Sequence, residues 1–524
     1  MGSLGKVQIL IAMLFYMAVV IGIGLRYAKR ASESSDNFLI GGRSLGPWVT
    51  AMGAEASDMS GWLLMGLPGV AYWFGLSDAV WTAIGLGVGT YLNWLFVAKR
   101  LRKYSTIAGD AITIPDFISN RFKEEKKVIA TIAALFILIF FTVYAASCFV
   151  TVGKLFSTLF GVKYQIMMIA GALFVIAYTF IGGFLAESAS DFMQGIVMFF
   201  ALVFVLIIGT SIAGGISNII DNAKEIPGFF DFFGIAQPKL TDGVQVVESG
   251  KPLFGAAGRY GFLTIISTLS WGLGYFGMPQ VLLKFMAIRN AEELTLSRRI
   301  ATIWVAISLT AAVTIGIMGR MLYPNTLLTQ SASENIFIVL STNFFPPLLA
   351  GIVMAGILAA TISSSDSYLL IAASAFSKTI YQGLMKKEVS DKNVLYITRI
   401  TLLIISAISM LIALDEKSVI FTVVSFAWAG FGATFGPTML FSLFWKNTTR
   451  AGAISGMISG GMMVFIWKLI LKPMGGIFGI YELFPAFVIS CIVIAIVSTY
   501  SKKPSQEIID EFELARATEI AATK

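Results

Sequence analysis

The chain contains no histidine, only two cysteines in 524 residues, and few charges, with Asp, Glu, Lys and Arg together at 13%. A soluble domain of ordinary composition carries about 25% charged residues, so that class is excluded for any large part of the chain. Lack of histidine removes the usual neutral-pH general base and any Cys/His metal centre. Cys148 and Cys491 both lie inside apolar runs, which argues against a disulfide framework. No GxxxxGK[ST] stretch is present to cradle ATP phosphates. An intramembrane hydrolase is disfavoured as well, with no histidine and no serine–lysine pair in sight.

What the chain has in abundance is hydrophobic length. Apolar residues make up 57%, mean hydropathy is +0.82, and runs of roughly 20 residues recur from end to end. The reading is an all-α polytopic membrane protein with about 13 transmembrane helices. Approximate spans are 7–27, 47–74, 77–98, 128–160, 164–184, 189–215, 259–287, 299–322, 333–376, 395–413, 418–444, 450–471 and 480–500. The ninth is too long for one crossing and is expected to carry a cytoplasmic extension. The first follows MGSLGK without a small-residue cleavage site and is read as a retained helix. Gly (50), Phe (42) and Met (22) suit closely packed, adaptable helix contacts.

The net charge of +8 is read as topology, not as nucleic-acid affinity. Arg26, Lys29, Arg30 and Arg43 follow span 1, and eight Lys or Arg from Lys99 to Lys127 follow span 3. Arg289, Arg298 and Arg299, then Lys386, Lys387 and Lys392, continue the alternation, whereas YPNTLLTQSASEN (323–335) has none. This predicts an N-terminus outside and a C-terminus in the cytoplasm of a cell (inner) membrane. The polar connection near 216–258 reads as a solvated external cap over a functional lid. The tail KKPSQEIIDEFELARATEIAATK reads as an amphipathic cytoplasmic helix.

Two spans are interrupted alike. Span 2 contains DMSGWLLMGLPG (58–69) and span 7 contains LSWGLGYFGMPQ (269–280). Glycine weakens a helix by about 1 kcal/mol relative to alanine, and proline by about 3. In lipid such a break survives only inside protein or beside a wet cavity. Five spans separate the two starts, so the segments cross in opposite directions. Paired interrupted spans in inverted halves point to a transporter binding site, where freed carbonyls hold a cation and freed amides an anionic group. A packing kink without a ligand is the alternative for either break alone. Span 9 adds LAATISSSDSYLL (358–370), whose hydroxyl and carboxylate oxygens suit a hard cation, although serines also glue helices together. Glu55, Asp58, Glu187, Asp191 and Asp366 are the intramembrane carboxylates, functional candidates by position. A pore lined by these polar groups would make a channel; discontinuous paired helices argue against it.

At GGRSLG (41–46), SDMSGWLLMGLPG (57–69), YTFIGGFLAES (178–188) and SWGLGYFGMP (270–279) the chain resembles the sodium/solute symporter family, most closely its sodium/proline branch. The resemblance runs from about 8 to 500. It implies a LeuT-type core of two inverted five-helix repeats. The expected divisions are 1–46 (extra helix and loop), 47–215 (first repeat), 216–258 (external loop), 259–445 (second repeat), 446–501 (two further helices) and 502–524 (tail).

The same resemblance implies a sodium site from the carbonyls of Ala56, Met59 and Ala360 and the hydroxyls of Ser363 and Ser364. Asp58 matches a sodium-critical aspartate, Arg43 an important arginine near the cytoplasm, and Asp191 an aspartate linked to sodium coupling. Ser60, Gly61, Trp62, Tyr144, Trp271, Tyr275 and Pro279 match the substrate region. Glu55 and Glu187 replace small or apolar residues of the pattern, and Ser364 replaces a threonine. Asp366 and Ser367 could join Asp191 in a second cation or proton site. The implied activity is sodium-driven uptake of L-proline with no cofactor; another small amino acid or carboxylate is the alternative.

Overall fold

A computed structural model of the chain describes residues 2–31, 43–382 and 390–521. Gly41 and Gly42 of the GGRSLG motif, and the loop lysines Lys386 and Lys387, lie outside the described residues. Helices dominate because hydrocarbon offers no partner to a free backbone N–H or C=O, and a helix satisfies both within itself. The first half comprises α1 (Ser3–Ala31), α2 (Pro47–Gly61), α3 (Leu67–Phe74), α4 (Leu76–Leu92), α5 (Ala98–Ile107), α6 (Ile114–Arg121), α7 (Val128–Phe160) and α8 (Tyr164–Ile212). Then come α9 (Ile216–Lys224), α10 (Phe262–Leu269), α11 (Pro279–Ala287), α12 (Leu294–Leu322), α13 (Gln330–Ser333), α14 (Ile336–Phe344) and α15 (Pro347–Ser374). The chain closes with α16 (Asp391–Ile412), α17 (Ile420–Phe444), α18 (Arg450–Ile466), α19 (Leu483–Tyr500) and α20 (Gln506–Ala521). Among the described residues ten helices are long and apolar enough to cross a membrane. The sequence count of thirteen adds 47–74 and 259–287, whose helices are interrupted, and 164–184, whose apolar helix is shorter.

Two boundaries differ from expectation. Spans 5 and 6 form one hydrogen-bonded helix, α8, of 49 residues. It is nonetheless not straight: the Tyr178 hydroxyl donates to Ser190 Oγ at 2.7 Å, whereas twelve residues of straight helix would separate them by about 18 Å. The two side chains reach across only part of that distance, so the axis bends between them. The ninth span begins at Pro347, not 333. Pro346 and Pro347 supply no N–H, so α14 ends before them and α15 starts afresh, while the chain upstream forms the separate helices α13 and α14. Beyond α15 the helix continues as a wider turn to Gln382, which forms the expected extension.

α15 is the central element, packed against α1, α2, α7 and α8, and every residue from Val353 to Leu370 is buried. Around it, glycine brings backbones into direct contact. A Cβ on Gly85 would stand 2.5 Å from the Leu269 carbonyl oxygen, one on Gly89 2.3 Å from that of Gly272, and one on Gly272 2.2 Å from that of Gly85. Likewise a Cβ on Gly316 would stand 2.3 Å from the Pro68 carbonyl oxygen.

The 216–258 connection is more than a solvated cap. It holds α9 and short antiparallel ladders: β1 (Gly234–Ile235) with β6 (Gly258–Arg259), β2 (Leu240–Thr241) with β3 (Val244–Gln245), and β4 (Val247–Glu248) with β5 (Lys251–Pro252). It is tied into the helices: the Leu76 amide donates to the Phe229 carbonyl at 2.7 Å, and buried Arg320 donates to Gln245 Oε1 at 2.6 Å. At the opposite face, amphipathic α20 buries Ile508, Phe512 and Ala515 against α5, with the Arg100 and Arg121 guanidiniums over the Phe512 ring.

Candidate functional site

Both predicted interruptions are present, and each follows from its residues. α2 stops at Ser60, held at φ 48 and ψ −171, a left-handed φ that a residue with a side chain rarely adopts. The Trp62 amide turns back to the Met59 and Ser60 carbonyls and to Ser60 Oγ at 3.2 Å. A wide turn, Trp62–Gly66, leads into α3, where Pro68 sits in the first turn. Gly61 is obligatory: a Cβ there would lie 2.4 Å from the Thr151 methyl. In span 7, α10 gives way to a tight 3-10 run, Ser270–Gly277, then extended Met278, and Pro279 restarts the helix. The two breaks face one another, since Gln280 Nε2 donates to Asp58 Oδ1 at 3.0 Å.

The expected sodium ligands converge in part. The Ser363 hydroxyl donates to the Ala56 carbonyl at 2.8 Å and to the Ala360 carbonyl at 3.3 Å; the Ser364 hydroxyl donates to the Ala56 carbonyl at 3.4 Å. Four of the five residues thus meet where α15 crosses the end of α2. Hydroxyl hydrogens rotate to suit their neighbours, so the same oxygens can turn lone pairs toward a cation. Met59 belongs to the break itself, its carbonyl taken by the Trp62 amide. Asp58 is buried, with its carboxylate toward span 7 and its carbonyl accepting from the hydroxyls of Tyr144 and Tyr368, each at 3.3 Å.

The aromatic residues do not form one wall. Trp62 and Trp271 lie 5.5 Å apart by ring centroid, each against Phe421 at 5.8 and 5.2 Å, with Tyr481 stacked on Trp271 at 5.1 Å. Tyr144 stacks instead on Tyr368 (4.3 Å), and Tyr275 meets Trp428 edge-on (5.0 Å). The Trp62–Trp271–Phe421 stack lies on the side of the breaks that carries the 216–258 connection. Behind it, buried Glu334 accepts from Lys154 Nζ at 2.6 Å and from the Ile420 and Phe421 amides at 2.9 Å each, which caps α17 and ties it to α7. On the other side a narrow apolar crevice reaches Pro279 between Ile114, Phe184, Leu283, Leu370 and Ser374. Its free volume of about 20 Å³ is that of about one water, too small to admit a substrate in this conformation.

A second cluster lies on α8, α11 and α15. Glu187 and Asp191 bracket the ammonium of Lys284 at 3.0 and 3.1 Å, and the Ser367 hydroxyl donates to Glu187 Oε1 at 2.6 Å. Asp366 accepts the Ser367 amide at 2.8 Å through Oδ1, while its Oδ2 has no partner. Ser367 thus reaches Glu187, which shares Lys284 with Asp191, while Asp366 bonds the amide of the next residue. Arg43 is not with them. It pairs with Asp110 at 2.9 Å and donates to the Met286 and Ala111 carbonyls at 2.7 Å each, bracing the basic loops. Glu55 accepts from Trp94 Nε1 at 3.1 Å.

Sequence reasoning missed Gln280, Lys284, Tyr368, Phe421 and the Lys154–Glu334 pair. The signal for the first two was available: a polar and a basic residue four apart on one face of an otherwise apolar half-helix.

Comparison with known proteins agrees with this geometry. The sequence model of the sodium:solute symporter family matches residues 38–460. Sodium/proline symporters of Staphylococcus aureus strains USA300 / TCH1516 and JH9 are each 40% identical over 523 residues, covering 99% of this chain and 97% of theirs. Among solved structures, a substrate-bound, outward-open Na+-coupled sialic acid symporter superposes with a TM-score of 0.76 at 18% identity, covering 95% of this chain and 99% of that one. A nucleobase-cation-symport-1 family transporter in a closed conformation superposes with a TM-score of 0.52 at 11% identity, over 91% and 98%. These two likenesses speak for the fold alone, and that fold is LeuT-type.

Proposed function

This chain belongs to the sodium:solute symporter family, and on that premise we propose that it takes up L-proline by secondary active transport driven by inward sodium movement. The observation that carries the reading is the pair of facing interrupted helices, with the Ser363 and Ser364 hydroxyls closed onto the Ala56 carbonyl. Sodium binds first, among the oxygens of Ala56, Met59, Ala360, Ser363 and Ser364, and clips α2 to α15. Asp58 then holds the α2 break against span 7 through Gln280. The substrate carboxylate meets amides freed around Ser60 and Gly61, and its ring enters between Trp62 and Trp271, while Tyr144 and Tyr275 stay on their own ring partners, Tyr368 and Trp428. Trp62 and Trp271 must part to admit it, so the present arrangement is a closed one. Rocking of one helix group against the other exposes the site to each side in turn. Arg43, tied to Asp110, supports the cytoplasmic end. Loop charges support an N-terminus outside and a C-terminus in the cytoplasm.

The driving force suffices. A tenfold sodium gradient supplies about 1.4 kcal/mol and 100 mV about 2.3 per charge. Together, roughly 3.7 kcal/mol sustains a several-hundred-fold substrate gradient with one sodium. The test is radiolabelled proline uptake into proteoliposomes with and without an inward sodium gradient. Accumulation only with the gradient is expected; equal accumulation without it refutes the reading.

A further inference from the structure

The Lys284 cluster is built like a cation site that already holds a cation. An ammonium has three N–H donors, and three oxygens take them: Ser188 Oγ at 2.9 Å, Glu187 Oε1 at 3.0 Å and Asp191 Oδ2 at 3.1 Å. The Phe184 ring lies 4.6 Å from Nζ, and the lysine side chain is 1% exposed. α2 passes alongside: a Cβ on Gly53 would stand in ordinary contact, 3.6 Å, with Lys284 Cε and Nζ. The oxygens around the ammonium outnumber what it can serve. Glu187 Oε2, Asp191 Oδ1 and Asp366 Oδ2 are buried without a partner, whereas an ion pair made only for stability satisfies its remaining lone pairs. Carboxylate and hydroxyl oxygens are what a hard cation takes; here three come from α8, and Ser367 of α15 closes onto Glu187. Lys284 also stands one turn from Gln280, so one face of α11 reaches both the Asp58 break and this cluster.

We propose that Lys284 is a tethered cation: its ammonium fills a second cation position formed by Glu187, Ser188 and Asp191, with Ser367 bonded to Glu187 behind them, which would otherwise take a second sodium. One sodium then accompanies each substrate, and the inner half of span 7 is bolted to α8 by a charge the protein carries itself. The proposal rests on the sodium-coupled reading above.

Lys284→Met exposes the test. In proteoliposomes the unaltered protein activates with a sodium Hill coefficient of about 1, and Lys284→Met rises toward about 2, since the coefficient is bounded by the number of sites. Paired isotope fluxes change from about one sodium per proline to about two, and the accumulation limit climbs from several-hundred-fold to roughly 10⁵-fold at the same gradient and potential. Lys284→Arg keeps the charge and the coefficient of about 1. A coefficient near 2 in the unaltered protein, or an unchanged coefficient in folded Lys284→Met, overturns the proposal. Should Lys284→Met fail to fold in choline buffer, sodium restores its monodisperse yield; no recovery at any sodium concentration overturns it equally. Sodium-independent uptake by the unaltered protein would instead sink the transport reading.

Discussion

Removal of Glu334 tests how the loop-bearing side is held shut. Its carboxylate, 1% exposed, receives Lys154 and two amides of α17. Deleting one partner of such a buried pair costs about 3–5 kcal/mol, because the other charge is left unpaired. If even 3 kcal/mol of that falls on the closed arrangement alone, the closed population drops by about 150-fold relative to an open one. A reporter thiol at Ser425→Cys, buried beside Tyr481, in a Cys148→Ala/Cys491→Ala background, reads this as a reaction rate with a methanethiosulfonate reagent. Glu334→Ala is expected to speed labelling by about 10²-fold. The double variant Lys154→Met/Glu334→Gln removes both charges and keeps one acceptor for the amides, so it should lie within about tenfold of the parent, as buried pairs replaced together are often near neutral. Labelling of Glu334→Ala within about twofold of the parent, with an unchanged size-exclusion profile, would refute the reasoning.

Ser363→Ala and Asp58→Asn should each raise half-saturating sodium by about tenfold, roughly 1.4 kcal/mol; unchanged sodium dependence in both removes the site assignment. Trp271→Ala should raise the proline concentration required far more than the sodium requirement, read in the same uptake assay, and the reverse pattern contradicts the aromatic contact. Gly272→Val should abolish folded expression, its Cβ being 2.2 Å from the backbone oxygen of Gly85, whereas Gly87→Val, with nothing within 4 Å, should express normally. Phe512→Ala should release α20 to limited proteolysis, since a buried phenylalanine lost to alanine costs about 3–5 kcal/mol. The same tail carries a weaker, pH-dependent tie: a hydrogen bond to Glu511 holds the Lys123 ammonium above the usual lysine range. That contribution is whole below the ordinary lysine value of about 10.4 and fades as pH rises past the elevated one. Tail cleavage should therefore stay flat up to about pH 10 and increase above it, and Glu511→Gln should flatten that rise.

The interruptions at Ser60 and at Ser270–Met278 were legible because glycine and proline act locally, and an apolar span that tolerates them must hide the freed backbone in protein. The meeting of Ser363 with Ala56 was legible only through family resemblance, since 307 residues separate them. Lys284 was not legible as a partner of Glu187. A lysine in an apolar run carries no sign of which carboxylate, 97 residues away, will neutralise it; that pairing belongs to tertiary packing. The continuation of α8 through the join of spans 5 and 6 escaped for a different reason: Gly182 and Gly183 suggest a stop, yet glycine weakens a helix by only about 1 kcal/mol, and the helix runs on past them. The Pro346–Pro347 stop, a strong local signal, was simply swamped by the apolar residues around it.

The glycine-to-backbone contacts of α4 with the Ser270–Gly277 run, and of α12 with the chain at Pro68, have a kinematic meaning. Where main chains touch with no side chain between them there is nothing to slide or re-pack, so each joined pair must travel as one solid piece. The seams at Gly85, Gly89, Gly272 and Gly316 thereby mark which helices are locked in step, and leave the side-chain-lined borders with α7 and α15 as the surfaces along which the protein is free to shear.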